Sequence, residues 1–338
     1  MGWCISFKMG YIKFDVVSNR EIISRLRSLA VSIPMVWASY RQYWRLRRWL
    51  ESSKKYPISS RPLSFGNFPM PTLDKPGSQL CTAEQMLSST YDLWCDAIYS
   101  PPRFSRKQWE FVFIIQALEH SHKLAPSMSG LGFGCGREPL PGLFASRGCS
   151  VLATDLDSQA ASAQGWVHTM QHSASLEELY KSAQRILPSE IFFKQVSFQS
   201  TDMNHIPEEF TEQFDFVWSA CALEHLGSLR HGMEFIKNSL TCLKPGGVAV
   251  HTTEFNLSSL DQTLETPNCS IFREKDIREL ISEVQELGYV VEPLNLNTGN
   301  RSVDRYIDLP PYGFSPHIKL ELEGYVVTSI GLIIQRPN

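Results

Sequence analysis

The chain has 338 residues, 43% hydrophobic and 20% charged, enough apolar material for one large domain or two modest ones. The net charge of −3 hides an asymmetry: nine Arg/Lys against Glu21 and Glu51 give residues 20–55 a charge of +7, whereas residues 56–338 carry −11. A body that acidic lacks the basic face needed to grip a phosphate backbone, which excludes a nucleic-acid partner.

The eight cysteines (4, 81, 95, 135, 149, 221, 242, 269) follow no C-x-x-C spacing and form no dense framework. That pattern predicts reduced thiols in a cytoplasmic protein and no metal site. No secretory signal is apparent, and the apolar stretch LAVSIPMVWAS at 29–39 is far short of the roughly 20 residues that span a bilayer. Met1-Gly2 with Ser6 matches a myristoylation pattern, and Cys4 offers a site for acylation.

In chain order, residues 1–77 read as a basic helical extension followed by a linker with five prolines in 56–77. RQYWRLRRWLESSKK at 41–55 admits two readings. It is an interfacial helix touching anionic lipid at the inner membrane face, or a helix whose aromatic side packs inward while its arginines stay solvated. Residues 78–338 then alternate helix-like and strand-like stretches, with 78–125 a cap over the ligand and 126–338 an α/β core.

Within the core, 105–124 predicts a helix, 128–134 a strand entering the glycine loop GLGFGCGRE (130–138), and Pro139 the first turn of the next helix. Further strands are expected at 149–154, 192–200, 214–220, 248–255 and 289–296. A terminal hairpin over 318–336 should turn at Glu323-Gly324. A glycine loop followed by an acid at the next strand end, here Asp155, suits a ribose-bearing ligand. NAD and S-adenosylmethionine both present a ribose. The loop fits the G-x-G-x-x-G spacing of dinucleotide folds poorly, because its glycines fall at 132, 134 and 136.

Taken in order, that loop, Asp155, FDFVWSACALEHL (214–226) and CLKPGGVAVHTTEF (242–255) resemble the class I S-adenosylmethionine-dependent methyltransferases. With SQLCT at 78–82, they look like a bacterial branch whose members often sit among glycan-assembly genes. The resemblance implies a Rossmann-like, seven-stranded, mostly parallel sheet with an N-terminal helical extension, and S-adenosylmethionine as cofactor. It also implies residue roles. Gly134 and Gly136 lie under the methionine part, Asp155 with Leu156 takes the ribose, and Asp202-Met203 meets the adenine. Ser219 and Ala220 stand beside the sulfonium. Where the family's loop begins with an acid this chain has Gly132, and Glu138 replaces the third glycine, so Arg137 or Glu138 is expected to anchor the cofactor's carboxylate or amino group.

The activity implied is methyl transfer to a small-molecule or glycan acceptor, with oxygen of a sugar favoured. His225 and Glu254 are the candidate bases, since a hydroxyl acceptor must lose a proton. His251 falls mid-strand and is expected in the core. Asp304, Arg305 and Tyr312 face substrate or merely form a polar connection. The altered loop leaves two alternatives, a cofactor-binding scaffold without catalysis and an NAD-dependent oxidoreductase.

Overall fold

The computed structural model describes residues 34–53, 63–157, 172–313 and 315–338. The acylation pattern at residues 2–6 and the end of the 41–55 stretch lie outside them. Two compact units divide between Tyr43 and Trp44; among described residues the first holds only the start of helix α1 (Pro34–Ser53).

In the second unit, β1 (Ser78–Leu80) leads into α2 (Ala83–Met86), α3 (Ser89–Ala97) and α4 (Arg106–His120). The α/β alternation then runs β2 (Ser129–Phe133), α5 (Leu140–Ser146), β3 (Ser150–Asp155), α6 (Leu176–Ala183), α7 (Ser189–Gln195) and β4 (Val196–Ser200). It continues through β5 (Phe214–Ala220), α8 (Leu229–Leu240), β6 (Leu243–Asn256), the hairpin β7 (Glu265–Thr266) and β8 (Cys269–Ser270), and α9 (Glu274–Glu286). Short strands β9 (Val290–Val291), β10 (Leu294–Asn295) and β11 (Ile307–Asp308) precede the terminal pair β12 (Lys319–Leu322) and β13 (Tyr325–Gln335).

The sheet is the one the resemblance implies. Strands run β4-β3-β2-β5-β6-β13, with the first five parallel and β13 antiparallel to β6. With β9 beside β13 these make seven strands; β1, β10, β11 and β12 extend the sheet to eleven. Parallel strands are buried on both faces, and β5 and β6 are accordingly almost continuous apolar or buried runs. The hairpin turns where expected: Glu323 and Gly324 both have positive φ, 50° and 86°, matching the twist of the strands they join.

Several expectations need correction. The first half of 192–200 is helical, because Phe192 packs inward with Tyr180 while Ile191 and Phe193 face out; a short apolar run does not distinguish helix from strand. The strand expected over 289–296 is split into two residue pairs around Pro293, which has no N–H for a ladder. The segment 78–125 is not simply a cap: β1 joins the sheet, α4 packs against it, and Lys107 and Phe111 are what α4 sends to the cavity described below.

Helix α1 reverses the polarity expected of a solvated arginine face. Over Trp44–Glu51, Trp44 and Arg48 are buried, Arg48 reaches Asp92 at 2.6 Å and the Met86 carbonyl at 2.6 Å, and Arg45 pairs with Asp96 at 2.9 Å. Leu46, Trp49 and Leu50 are the exposed side chains. No described helix is long and apolar enough to cross a membrane.

Candidate active site

At the carboxyl ends of β2 to β5, where ligands of open α/β sheets bind, lies a cavity of about 450 Å³. Gly134, Gly136, Arg137, Asp155, Leu156, Asp202, Met203, Ala220 and His225 line it; Gly132, Ser219 and Glu254 do not. Residues from four separate strand ends thus meet in one space.

The loop after β2 makes the floor. Gly134 has φ +59°, and a Cβ placed there would stand 2.9 Å from Ala222 Cβ and 3.3 Å from Met203 Sδ, so the backbone itself faces the cavity. Gly132 is a glycine for another reason. A Cβ there would come within 2.3 Å of the Trp218 ring and 2.4 Å of Cys135 Sγ. The acid that the resemblance expects at this position has no room, because Trp218 fills it.

Asp155 ends β3 with its carboxylate held by backbone donors: Gly136 N–H at 3.1 Å, Ser173 N–H at 3.1 Å and its neighbour Leu156 N–H at 2.9 Å. Burial nevertheless raises its pKa, with the backbone donors acting against that rise. Asp202, in the loop after β4, accepts from Asn204 N–H at 2.9 Å and meets His205 Nδ1 at 2.9 Å. Beside it, the buried Thr201 Oγ1 has no hydrogen-bond partner among the described residues.

Ser219 turns away from the cavity. Its hydroxyl meets His251 Nδ1 at 2.8 Å, and Ser239 stands 3.2 Å from the other ring nitrogen. Burial pushes His251 down to about 3, so it is the neutral core residue expected.

His225 follows β5 in a 3₁₀ turn. Its Nδ1 lies 2.6 Å from the Asn268 carbonyl, in the β7–β8 hairpin, whose Pro267 also lines the cavity. A carbonyl only accepts, so Nδ1 carries the proton in the neutral ring and Nε2 is the basic nitrogen. Glu224 Oε1 stands 3.9 Å from Nε2.

Glu254, at the end of β6, lies behind the cavity wall. Its carboxylate is buried and paired with Arg106 at 2.6 Å. Burial pushes its pKa up, partly offset by that arginine. With Cys221 and Glu224 it forms a group of possible metal ligands within 4.8 Å, but Arg106 already meets the charge of Glu254. Asp304 is a buried structural acceptor for the N–H groups of Ala83 and Arg301 at 2.8 and 3.0 Å, and neither Arg305 nor Tyr312 lines the cavity.

Sequence reasoning missed several contributors: Lys107, Phe111, His172, Thr201, Cys221 and Pro267. Cys221 is a strained position, with φ +47° in a residue other than glycine at the end of β5. Lys107 Nζ reaches the Ala220 carbonyl at 3.0 Å and Glu110 at 3.0 Å.

A family model described as a methyltransferase domain matches residues 106–293. The chain belongs to that methyltransferase family. This settles the choice that the loop left open, against the nicotinamide oxidoreductase. Among solved structures, 1,6-didemethyltoxoflavin-N1-methyltransferase of Burkholderia thailandensis is similar at 15% identity, with 75% of this chain and 87% of that one covered and a TM-score of 0.42. Magnesium protoporphyrin IX methyltransferase of Synechocystis PCC 6803 has 15% identity, coverage of 74% and 95%, and a TM-score of 0.40. An S-adenosylmethionine-dependent methyltransferase of Mesorhizobium loti has 12%, 65% and 96%, and 0.40. No curated protein matches the chain.

Proposed function

We propose that the cavity binds S-adenosylmethionine and that this methyltransferase acts on an oxygen of a sugar or another small polar metabolite. The observation that carries the reading is the meeting of the glycine loop, Asp155, Asp202 and His225 on one cavity. The residues fit the cofactor. The floor at Gly134 is a space that a Cβ would fill, Thr201 Oγ1 is a buried polar atom in need of a partner, and Asp155 stands at a strand end. A carboxylate offers about four lone-pair positions, of which backbone donors to Asp155 use three, so it is held in orientation with capacity left for a ribose hydroxyl.

S-adenosylmethionine supplies a methyl group on a positively charged sulfur, so the protein has to position the acceptor and manage its proton. His225 is suited to take that proton. The Asn268 carbonyl fixes its tautomer and leaves Nε2 as the nitrogen with a free lone pair. Glu254, locked to Arg106 behind the wall, serves as the anchor of a buried ion-pair cluster. An acidic body, a poor surface for a nucleic-acid acceptor, supports a small one. Peripheral membrane contact through 41–55 would rest on Leu46, Trp49 and Leu50, because Arg45, Arg47 and Arg48 are all in ion pairs.

The acceptor is found by feeding methyl-labelled methionine to cells with and without the protein and comparing their metabolites. One labelled small polar product, methylated on oxygen, is expected only in cells that make the protein. Label appearing instead on protein or nucleic acid would contradict the reading.

A further inference from the structure

Glu138 is a carboxyl set into the cavity wall with no cation paired to it. It lines the cavity, is 6% exposed, and forms no ion pair among the described residues. Its oxygen accepts the Trp218 indole N–H at 2.7 Å. Trp218 in turn is fixed edge-on to Phe144, with ring centroids 4.9 Å apart, and needs the bare backbone of Gly132 beside it. Gly132, Trp218 and Glu138 are therefore one device. Removing the side chain from the strand end makes room for an indole that holds a carboxyl from the far side of the loop.

Few of the described groups face Glu138. On the loop, the Cys135 thiol is its close neighbour, and Arg137 is turned to the His172 carbonyl and Glu178. From α4 comes Lys107, engaged by Glu110 and the Ala220 carbonyl, and from β3 the like charge of Asp155. Burial pushes Glu138 up to about 8, against the effect of the Trp218 hydrogen bond. That rise favours the protonated carboxyl in the empty cavity near neutral pH.

We propose that Glu138 receives the ammonium of the cofactor's amino-acid end and releases its own proton to solvent as it does so. This rests on the reading of the cavity as an adenosyl site, where Asp155 and Asp202 stand for the ribose and adenine. An ammonium against a buried carboxylate forms a charge-assisted hydrogen bond, and the same low dielectric that keeps the empty site neutral strengthens that bond.

Calorimetry with two probes tests it, using S-adenosylhomocysteine and 5′-methylthioadenosine, which lacks the amino-acid end. Glu138→Gln keeps an acceptor for Trp218 and should weaken S-adenosylhomocysteine by roughly tenfold to hundredfold. Methylthioadenosine should change less than threefold, which also reports an intact site. In the natural protein near pH 7, about one proton should be released per S-adenosylhomocysteine bound, read from heats in two buffers, and about none in Glu138→Gln. The sign is fixed: the empty-site pKa is raised, so affinity should climb by about tenfold per pH unit below it, and Glu138→Gln should flatten that climb. An unchanged S-adenosylhomocysteine affinity, or equal losses for both probes, would overturn the role of Glu138. If the natural protein binds neither probe, the adenosyl reading itself is wrong.

Discussion

Replacing His225 with Ala should lower turnover by about a hundredfold or more, within the 10²–10⁴ that general-base catalysis contributes, with S-adenosylhomocysteine affinity unchanged within about threefold. The split follows from placement. His225 lines the cavity through a turn after β5, and its ring is oriented by the β7–β8 hairpin through Asn268. Glu254→Gln should behave differently, keeping most turnover while lowering the melting temperature, because Arg106 loses the carboxylate 2.6 Å from it. Steady-state rates on the labelled acceptor, beside calorimetry, measure both. If both variants keep more than about a third of the natural rate, far above what loss of a base predicts, neither group is the base. The acceptor is then an amine or an oxygen already ionised.

The second large effect is expected at Asp155. Asp155→Ala removes the acceptor for a ribose hydroxyl and also releases the Gly136 and Ser173 N–H groups, each 3.1 Å from the carboxylate. Hydrogen bonds to a charged group are worth about 1.5–3 kcal/mol each, so S-adenosylhomocysteine should bind at least about tenfold more weakly. Asp155→Asn, which keeps the shape and one acceptor oxygen, should fall between. Circular dichroism establishes that the variants fold; an unchanged dissociation constant in a folded Asp155→Ala would place the cofactor elsewhere.

What was legible in the chain was local. The strand at 214–220, the turn at Glu323-Gly324 and the glycine loop each carry their signal within a few residues, as apolar runs or as residues that tolerate positive φ. The sheet order follows from the resemblance. Less legible were features made by distant partners or very short elements. Two-residue strands such as β7 and β8 have no periodicity to read, yet their hairpin orients His225. Trp218 and Glu138 are 80 positions apart, so the reason for Gly132 is invisible until both are placed. The arginines of α1 read as a solvated face, whereas Asp92 and Asp96 on α3 turn that face inward.

On this reading the cavity at the carboxyl ends of β2 to β5 is an adenosyl-sulfur site. Isothermal titration of the natural protein with S-adenosylhomocysteine, and separately with NAD, tests it most directly. Saturable binding of S-adenosylhomocysteine at one site per chain, with no heat from NAD, is the predicted result. Binding of NAD without S-adenosylhomocysteine would contradict it.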